Sequence, residues 1–258
     1  MTKPPGVDAS PVDQVSPSPQ LLTCSAVSKR YGQLQVLDSV DFTIRAGEAV
    51  GIVGPNGAGK TTLLNALAGS ITPDSGTVHL GGQDVTRMPP QRRCRLGVGR
   101  AFQIPKPFGG MTVLENVLVG ATFGARLGRA QSYQRCVEVL ELCGLIELAN
   151  RRAEDLGLLS RKRLELARAL ATSPQVLLLD EIGGGLTDAE ADELVVTIRA
   201  LHQGGVSIVW IEHIVHVLLR VVQRLVAMDA GRIIADGNPQ SVLNNAAVVD
   251  AYLGKAGA

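Results

Sequence analysis

The sequence has no excess of charge of either sign: Lys and Arg number 25, Asp and Glu 24, and the formal net charge is +1. Phosphate backbones demand a basic surface, so this balance gives no electrostatic case for nucleic acid as the main partner. Nor does any stretch reach the roughly 18 uncharged apolar residues that a membrane-spanning helix needs. The most tempting region, 206–228, is broken by Glu212, His213, His216, Arg220 and Arg224. The chain is therefore not expected to span a bilayer, which leaves it free to dock onto something that does. Only Lys3 precedes a Pro/Ser-rich N-terminal stretch, with no apolar segment behind it, and this does not fit a secretory signal. The four cysteines, Cys24, Cys94, Cys136 and Cys143, lack C-x-x-C spacing. They are expected to be reduced, mostly buried cytosolic thiols rather than a zinc site or a disulfide framework. Aromatic residues make up only 3%, and the chain has no internal repeat.

What is present is a large apolar fraction, 45% of 258 residues. At roughly 150 residues per domain that suffices for one large or two small domains with a sizeable core. Pro4, Pro5, Pro11, Pro17 and Pro19 mark residues 1–20 as a disordered tail without assigned chemistry. The folded part is expected over 21–258. Val40 to Ile44 alternates at period 2, as a half-buried strand should. The runs 49–53, 176–179 and 206–211 read as buried strands, and 62–68, 188–201 and 241–253 as helices. Residues 225–228 and 232–235 flank Gly231 as a hairpin. A mainly helical block, about 113–171, is inserted between two strands. Strands alternating with helices predict a mostly parallel sheet with helices on both faces.

The strongest motif is Gly54-Pro55-Asn56-Gly57-Ala58-Gly59-Lys60-Thr61, with Thr62 following. It fits G-x-x-x-x-G-K-[ST] between a predicted strand and a predicted helix. Such glycines let backbone N–H groups close around phosphate oxygens, and the helix N-terminus adds its positive end. Lys60 would serve the β- and γ-phosphates of a bound nucleotide, and Thr61 would place a hydroxyl on Mg2+. Downstream, Leu177-Leu178-Leu179 delivers Asp180 and Glu181 to a strand end, where ligands bind in such sheets. Asp180 would hold the Mg2+ shell and Glu181 would orient a water for attack. His213, just past the third buried strand, is placed to hydrogen-bond the γ-phosphate. Zinc at His213 and His216 is rejected for want of further ligands.

These elements together resemble the ATP-binding subunits of ABC transporters, over nearly everything after residue 21. The resemblance implies an α/β P-loop NTPase fold with an N-terminal antiparallel β subdomain and an inserted helical subdomain. It further implies that Tyr31 stacks on adenine, that Gln103 touches Mg2+ and couples to membrane subunits, and that Leu186-Thr187-Asp188 forms the D-loop at a dimer interface. His213 then matches the switch histidine. A narrower resemblance, carried by 111–117, by Ile211-Glu212-His213 and by 251–254, is to the ATPases of branched-chain amino-acid importers, closer to the longer of their two paired subunits. That family also serves urea and short amides. The implied partners are integral membrane permeases and a second ATPase subunit, in a heterodimer or alternatively a homodimer, at the cytoplasmic face of the plasma membrane. A soluble ABC ATPase uncoupled from transport and a nucleotide-gated regulator with weak hydrolysis stay open as alternatives.

The sequence departs from the family at its signature, normally L-S-G-G-Q. Counting back from the helix at 163–170 puts Leu156, Gly157, Leu158, Leu159 and Ser160 on the motif. Gly157 lacks the family's hydroxyl, and Leu159 would hinder close backbone approach to a nucleotide on the opposite subunit. Ser160 is expected to cap the helix or, as the alternative, partly to replace the lost donor, and Arg161, Lys162 and Arg163 to form a solvated face or help hold phosphate. The consequence is asymmetric: one competent ATP site, built on this chain's own Lys60 and Glu181.

Overall fold

The computed structural model describes residues 18–253. The expected tail lies outside the described residues up to position 17, and Gln20 already belongs to the first strand. Two long strands, β1 (Gln20–Tyr31) and β2 (Leu34–Arg45), form a hairpin. β3 (Ala49–Val53) runs into the glycine-rich loop and α1 (Lys60–Ala68). There follow β4 (Ser75–Leu80), β5 (Gln83–Asp84), α2 (Pro90–Arg95) and β6 (Val98–Ala101). The helical block comprises α3 (Val113–Val119), a π-turn over Gly120–Gly124, α4 (Arg129–Leu142) and α5 (Leu158–Ala171). The chain continues through β7 (Val176–Asp180), α6 (Asp188–Gln203), β8 (Ser207–Ile211), α7 (Val215–Leu218), β9 (Arg224–Asp229) and β10 (Arg232–Gly237). It ends in α8 (Pro239–Leu243) and α9 (Ala246–Leu253).

The strands form two sheets. The larger has the order β10-β9-β3-β8-β7-β6 and is parallel except for the β9–β10 hairpin. The smaller, β2-β1-β4-β5, is antiparallel. Every residue of β3, β7 and β8 is buried, which explains their unbroken apolar runs. The two-residue period sends alternate side chains to opposite cores. Leu177, Leu179, Ile208 and Trp210 face the helical block and α6, whereas Val50, Ile52, Leu178 and Val209 face α1 and the antiparallel sheet. Helices thus lie on both faces, as expected, with α1 sharing its face with the antiparallel sheet.

Two further differences have local causes. The closing helix expected over 241–253 is divided at Asn244 and Asn245, where Asn245 Oδ1 accepts from the Ala247 N–H at 2.9 Å. An Asn side chain competes with the helical backbone in this way. β6, with Gly99 and Arg100 in its middle, carries no apolar run to announce it.

The helix that opens from the glycine-rich loop is secured at its far end. Arg93 of α2 is wholly buried and donates to the α1 carbonyls of Ala66 (2.7 Å) and Leu67 (2.8 Å). It also donates to Met88 O and Thr86 O, both at 3.0 Å. A cation at a helix C-terminus is favourable, and burial pushes this guanidinium down to about 10. Replacing Arg93 by Met leaves several buried carbonyls unsatisfied. The expected loss is about 3 kcal/mol of stability, seen as a fall of roughly 10 °C in the thermal melting midpoint.

Candidate functional site

The glycine-rich loop leaves the buried end of β3 and closes onto the start of α1. Two of its glycines are fixed by close approach. A Cβ at Gly54 would lie 2.1 Å from Met228 O, and one at Gly59, where φ is +99°, 2.6 Å from Val36 O. Neither position accepts a side chain. The loop's backbone rims a pocket of about 220 Å³ lined by Val36, residues 56–62 and Glu181. Lys60 is buried, and its ammonium donates to Gly54 O at 2.7 Å and Pro55 O at 3.1 Å. The ammonium thus crosses the loop that was expected to cradle phosphate.

β7 delivers the two acids. Asp180, buried at the strand end, accepts from Thr61 Oγ1 on its Oδ1 at 3.3 Å. Its Oδ2 pairs with Arg100 Nη2 at 2.9 Å. Glu181 follows with φ +47°, a left-handed backbone that a non-glycine residue adopts at a cost of order 1 kcal/mol. That twist directs its carboxylate into a convergence of three segments. Gln103 Nε2 donates to Oε2 at 2.6 Å, and His213 Nε2 lies 2.7 Å from Oε1. Glu181, Gln103 and His213, up to 110 positions apart in sequence, therefore meet at the mouth of the loop.

Behind them lie residues that the sequence did not single out for the site. Glu212 is buried and accepts from the Gly183 N–H at 3.0 Å and the His213 N–H at 3.2 Å. Burial holds its carboxyl above the usual range, opposed by those two N–H groups. Lys162 is buried too, with its Nζ 3.5 Å from Gln103 O. It was expected on a solvated face or helping to hold phosphate, and it is not solvated; burial pushes its ammonium down, and the charge of Glu212 opposes that. Of its neighbours, Arg161 donates to Glu154 O at 2.8 Å and Arg163 pairs with Glu193. Arg100 received no role from the sequence, because the short strand that carries it has no apolar run to announce it.

The remaining expected residues fall as follows. Tyr31 lies half exposed at the β1–β2 hairpin tip, with the Lys29 ammonium 5.7 Å from its ring centre. Val36 of the same hairpin lines the phosphate-loop pocket. In the signature segment Gly157 is the N-cap of α5, in extended backbone without a side-chain cap. Ser160 is the third helical residue, so the expectation that it caps the helix is corrected: the helix begins three residues earlier than a cap at Ser160 implies. Leu159 is half-buried. A Cβ placed at Gly157 meets nothing within 4 Å. In the 186–188 segment Thr187 caps α6, its Oγ1 accepting from Glu190 N at 3.3 Å and its own N–H donating to Glu190 Oε2 at 2.9 Å. Leu186 precedes that cap and Asp188 opens the helix, exposed.

The donor set fits a nucleotide with a divalent cation. The loop is a cradle that side chains at Gly54 or Gly59 would fill, and Thr61 and Asp180 offer two hard oxygen donors on one side of it. Mg2+ is commonly held by one or two protein oxygens, with phosphate and water completing the octahedron. Among the described residues no group of three or more His, Cys, Asp or Glu is arranged to hold a metal by itself. No helix among them is long and apolar enough to cross a membrane.

Comparison with known proteins bears on the same residues. The family model described as "ABC transporter" matches residues 37–183, and one described as "Branched-chain amino acid ATP-binding cassette transporter" matches 232–258. The high-affinity branched-chain amino acid transport ATP-binding protein LivG of Escherichia coli is 36% identical over 93% of this chain and 100% of its own length. The corresponding protein BraF of Pseudomonas aeruginosa is 34% identical over 92% and 98%. Among solved structures, the ADP conformation of MJ1267, an ATP-binding cassette of an ABC transporter, superposes with a TM-score of 0.83 at 30% identity, covering 92% of this chain and 100% of that one. A nucleotide-free cassette from an ABC transporter gives 0.82 at 30% identity over 90% and 98%.

Proposed function

The chain belongs to the ABC transporter ATP-binding family and is an ABC-type ATPase, and from that premise we propose that it powers an importer of branched-chain amino acids or related small amides. The observation that carries the reading of its chemistry is the placement of Glu181, held by Gln103 and His213 at the mouth of the phosphate loop. Mg-ATP, when bound, supplies the γ-phosphoryl group and a divalent charge. Lys60 then turns its ammonium from the loop carbonyls to phosphate oxygens. Thr61 and Asp180 hold the cation, while Tyr31 stacks on the base. Glu181 orients the attacking water as general base. Each of its oxygens has one partner here and keeps a lone pair free for water; release of His213 would let the imidazole turn to the nucleotide. His213 is then free to donate to phosphate.

The partner of this chain is proposed to be a second ATPase subunit whose own signature completes the Lys60–Glu181 site. Gly157 and Leu159 make this chain's signature the weaker of the two. The 186–188 segment lies on the same interface. The permeases are proposed to sit over a groove of about 680 Å³ whose wall includes Phe102, Phe108, Val119 and Ala169. Ile104 and Phe123, both about two-thirds exposed, add apolar surface nearby. Phe102 adjoins Gln103, so pressure on the groove reaches Glu181 through one residue. The site of action would be the cytoplasmic face of the membrane, with the chain bound peripherally.

Affinity purification of the tagged chain from detergent-solubilised native membranes tests the assignment. Polytopic permeases and a second ATPase are expected in the eluate. Recovery of soluble partners alone, such as ribosomes or nucleoid proteins, overturns it.

A further inference from the structure

Arg100 reaches the carboxylate that the proposed function gives to the metal, and it does so from an unusual position. It projects from the edge strand β6 with its side chain only 9% exposed, against 6% for Asp180. Its guanidinium is pinned at both ends. Nη2 donates to Asp180 Oδ2 at 2.9 Å, and Nη1 donates to Asn65 Oδ1 of α1 at 2.6 Å, with Ser70 Oγ at 3.4 Å. One side of the guanidinium is covered by the Phe102 ring, whose centre lies 4.6 Å away. A guanidinium does not deprotonate in a protein, so this is a fixed positive charge. With Oδ2 engaged, the carboxylate turns Oδ1 to Thr61. A buried carboxylate matched to a fixed cation is nearly neutral as a unit, and a bare divalent ion arriving there meets little residual field.

We propose that Arg100 is a positioning residue of the metal site: it aims one oxygen of Asp180 at Thr61 and offsets that carboxylate's charge, so that the chain takes up a divalent cation together with nucleotide and not before it. The inference rests on the reading of Asp180 as the metal carboxylate. Without nucleotide the attraction for the cation is offset by Arg100. With nucleotide the phosphates restore the negative charge, and the preset Asp180 oxygen receives the ion with no rearrangement of its own.

Electron paramagnetic resonance titration of the full chain with Mn2+, with and without ADP, tests this. Nucleotide-free Arg100→Met is expected to bind Mn2+ about tenfold more tightly than the parent chain, the scale on which removing an adjacent unit charge acts. That gain should vanish in the Arg100→Met/Asp180→Asn double variant. A gain below about threefold, or one that survives Asp180→Asn, overturns the inference, as does tight Asp180-dependent binding by the nucleotide-free parent chain. Circular dichroism reports whether Arg100→Met folds. If it does not, Arg100→Lys keeps the charge and is expected to stay within about threefold of the parent, a larger gain being contrary to the proposal. The reading of Asp180 is checked separately: Mn2+ binding in the presence of ADP must weaken in Asp180→Asn. If it does not, that reading fails and this inference with it. If it does while Arg100→Met changes nothing, only the role of Arg100 falls.

Discussion

Glu181→Gln is expected to lower ATP turnover of the reconstituted pair by about 10²- to 10³-fold while leaving nucleotide binding in place, the size associated with losing a positioned general base. Glutamine matches the shape of the side chain and keeps an oxygen for Gln103 to donate to, so the local packing should hold. What is lost is the second carboxylate oxygen and the charge that polarises water. Steady-state phosphate release and equilibrium nucleotide binding, measured side by side, separate the two effects. The asymmetric reading is at stake as well. If this chain's own site is the competent one, the substitution must stop most of the hydrolysis of the pair even though the partner's acid is intact. Turnover that is unchanged removes Glu181 from the chemistry and locates hydrolysis on the other subunit.

The second large effect belongs to Lys60. Here its ammonium bridges two carbonyls of its own loop, Gly54 O and Pro55 O. It neutralises part of the loop and stands where a phosphate's charge would need it. Lys60→Met keeps the length and the apolar stem but removes the charge. ATP affinity is expected to fall at least about 100-fold, equivalent to about 2.7 kcal/mol, as measured by calorimetric titration. The fold should survive, because Lys60 itself lines an open pocket from which water can take the place of its ammonium. Loss of affinity without loss of the melting transition is therefore the expected pair of results. Retained affinity would mean that the loop's N–H groups and the helix end hold the phosphates without this ammonium.

The sequence made contiguous chemistry legible and long-range chemistry only partly so. The phosphate loop is one run of residues between a buried strand and a helix. Its geometry is dictated by backbone that glycine alone can supply at positions 54 and 59. Asp180 and Glu181 are announced by the apolar run before them, because a strand buried on both faces has to end at the sheet's edge. Arg100 and Glu212 were not assigned to the site, and Lys162 only as a solvated or phosphate-holding residue, for a common physical reason. Each works through a partner distant in sequence: Arg100 through Asp180, Glu212 through Gly183, and Lys162 through Gln103. A charged residue destined for burial looks like any other charged residue until the fold supplies its counterpart. The misplacement of Ser160 has a different origin. Motif counting fixes alignment but not where a helix starts, and here the start depends on Gly157 adopting extended backbone. The second sheet was implied by the family resemblance alone, because period-2 alternation identifies a half-buried strand without naming what buries it.

The empty space around Gly157 has a consequence for how such a protein changes over time. A side chain added there would touch nothing within 4 Å, so the fold exerts no steric veto on the residue at that position. Gain or loss of a hydroxyl is neutral for this subunit's own packing and is felt only by whatever stands opposite. If the proposed second ATPase subunit stands there, mutational drift at this point is policed by that companion, and one copy of a duplicated gene can let its signature lapse as long as its counterpart retains one.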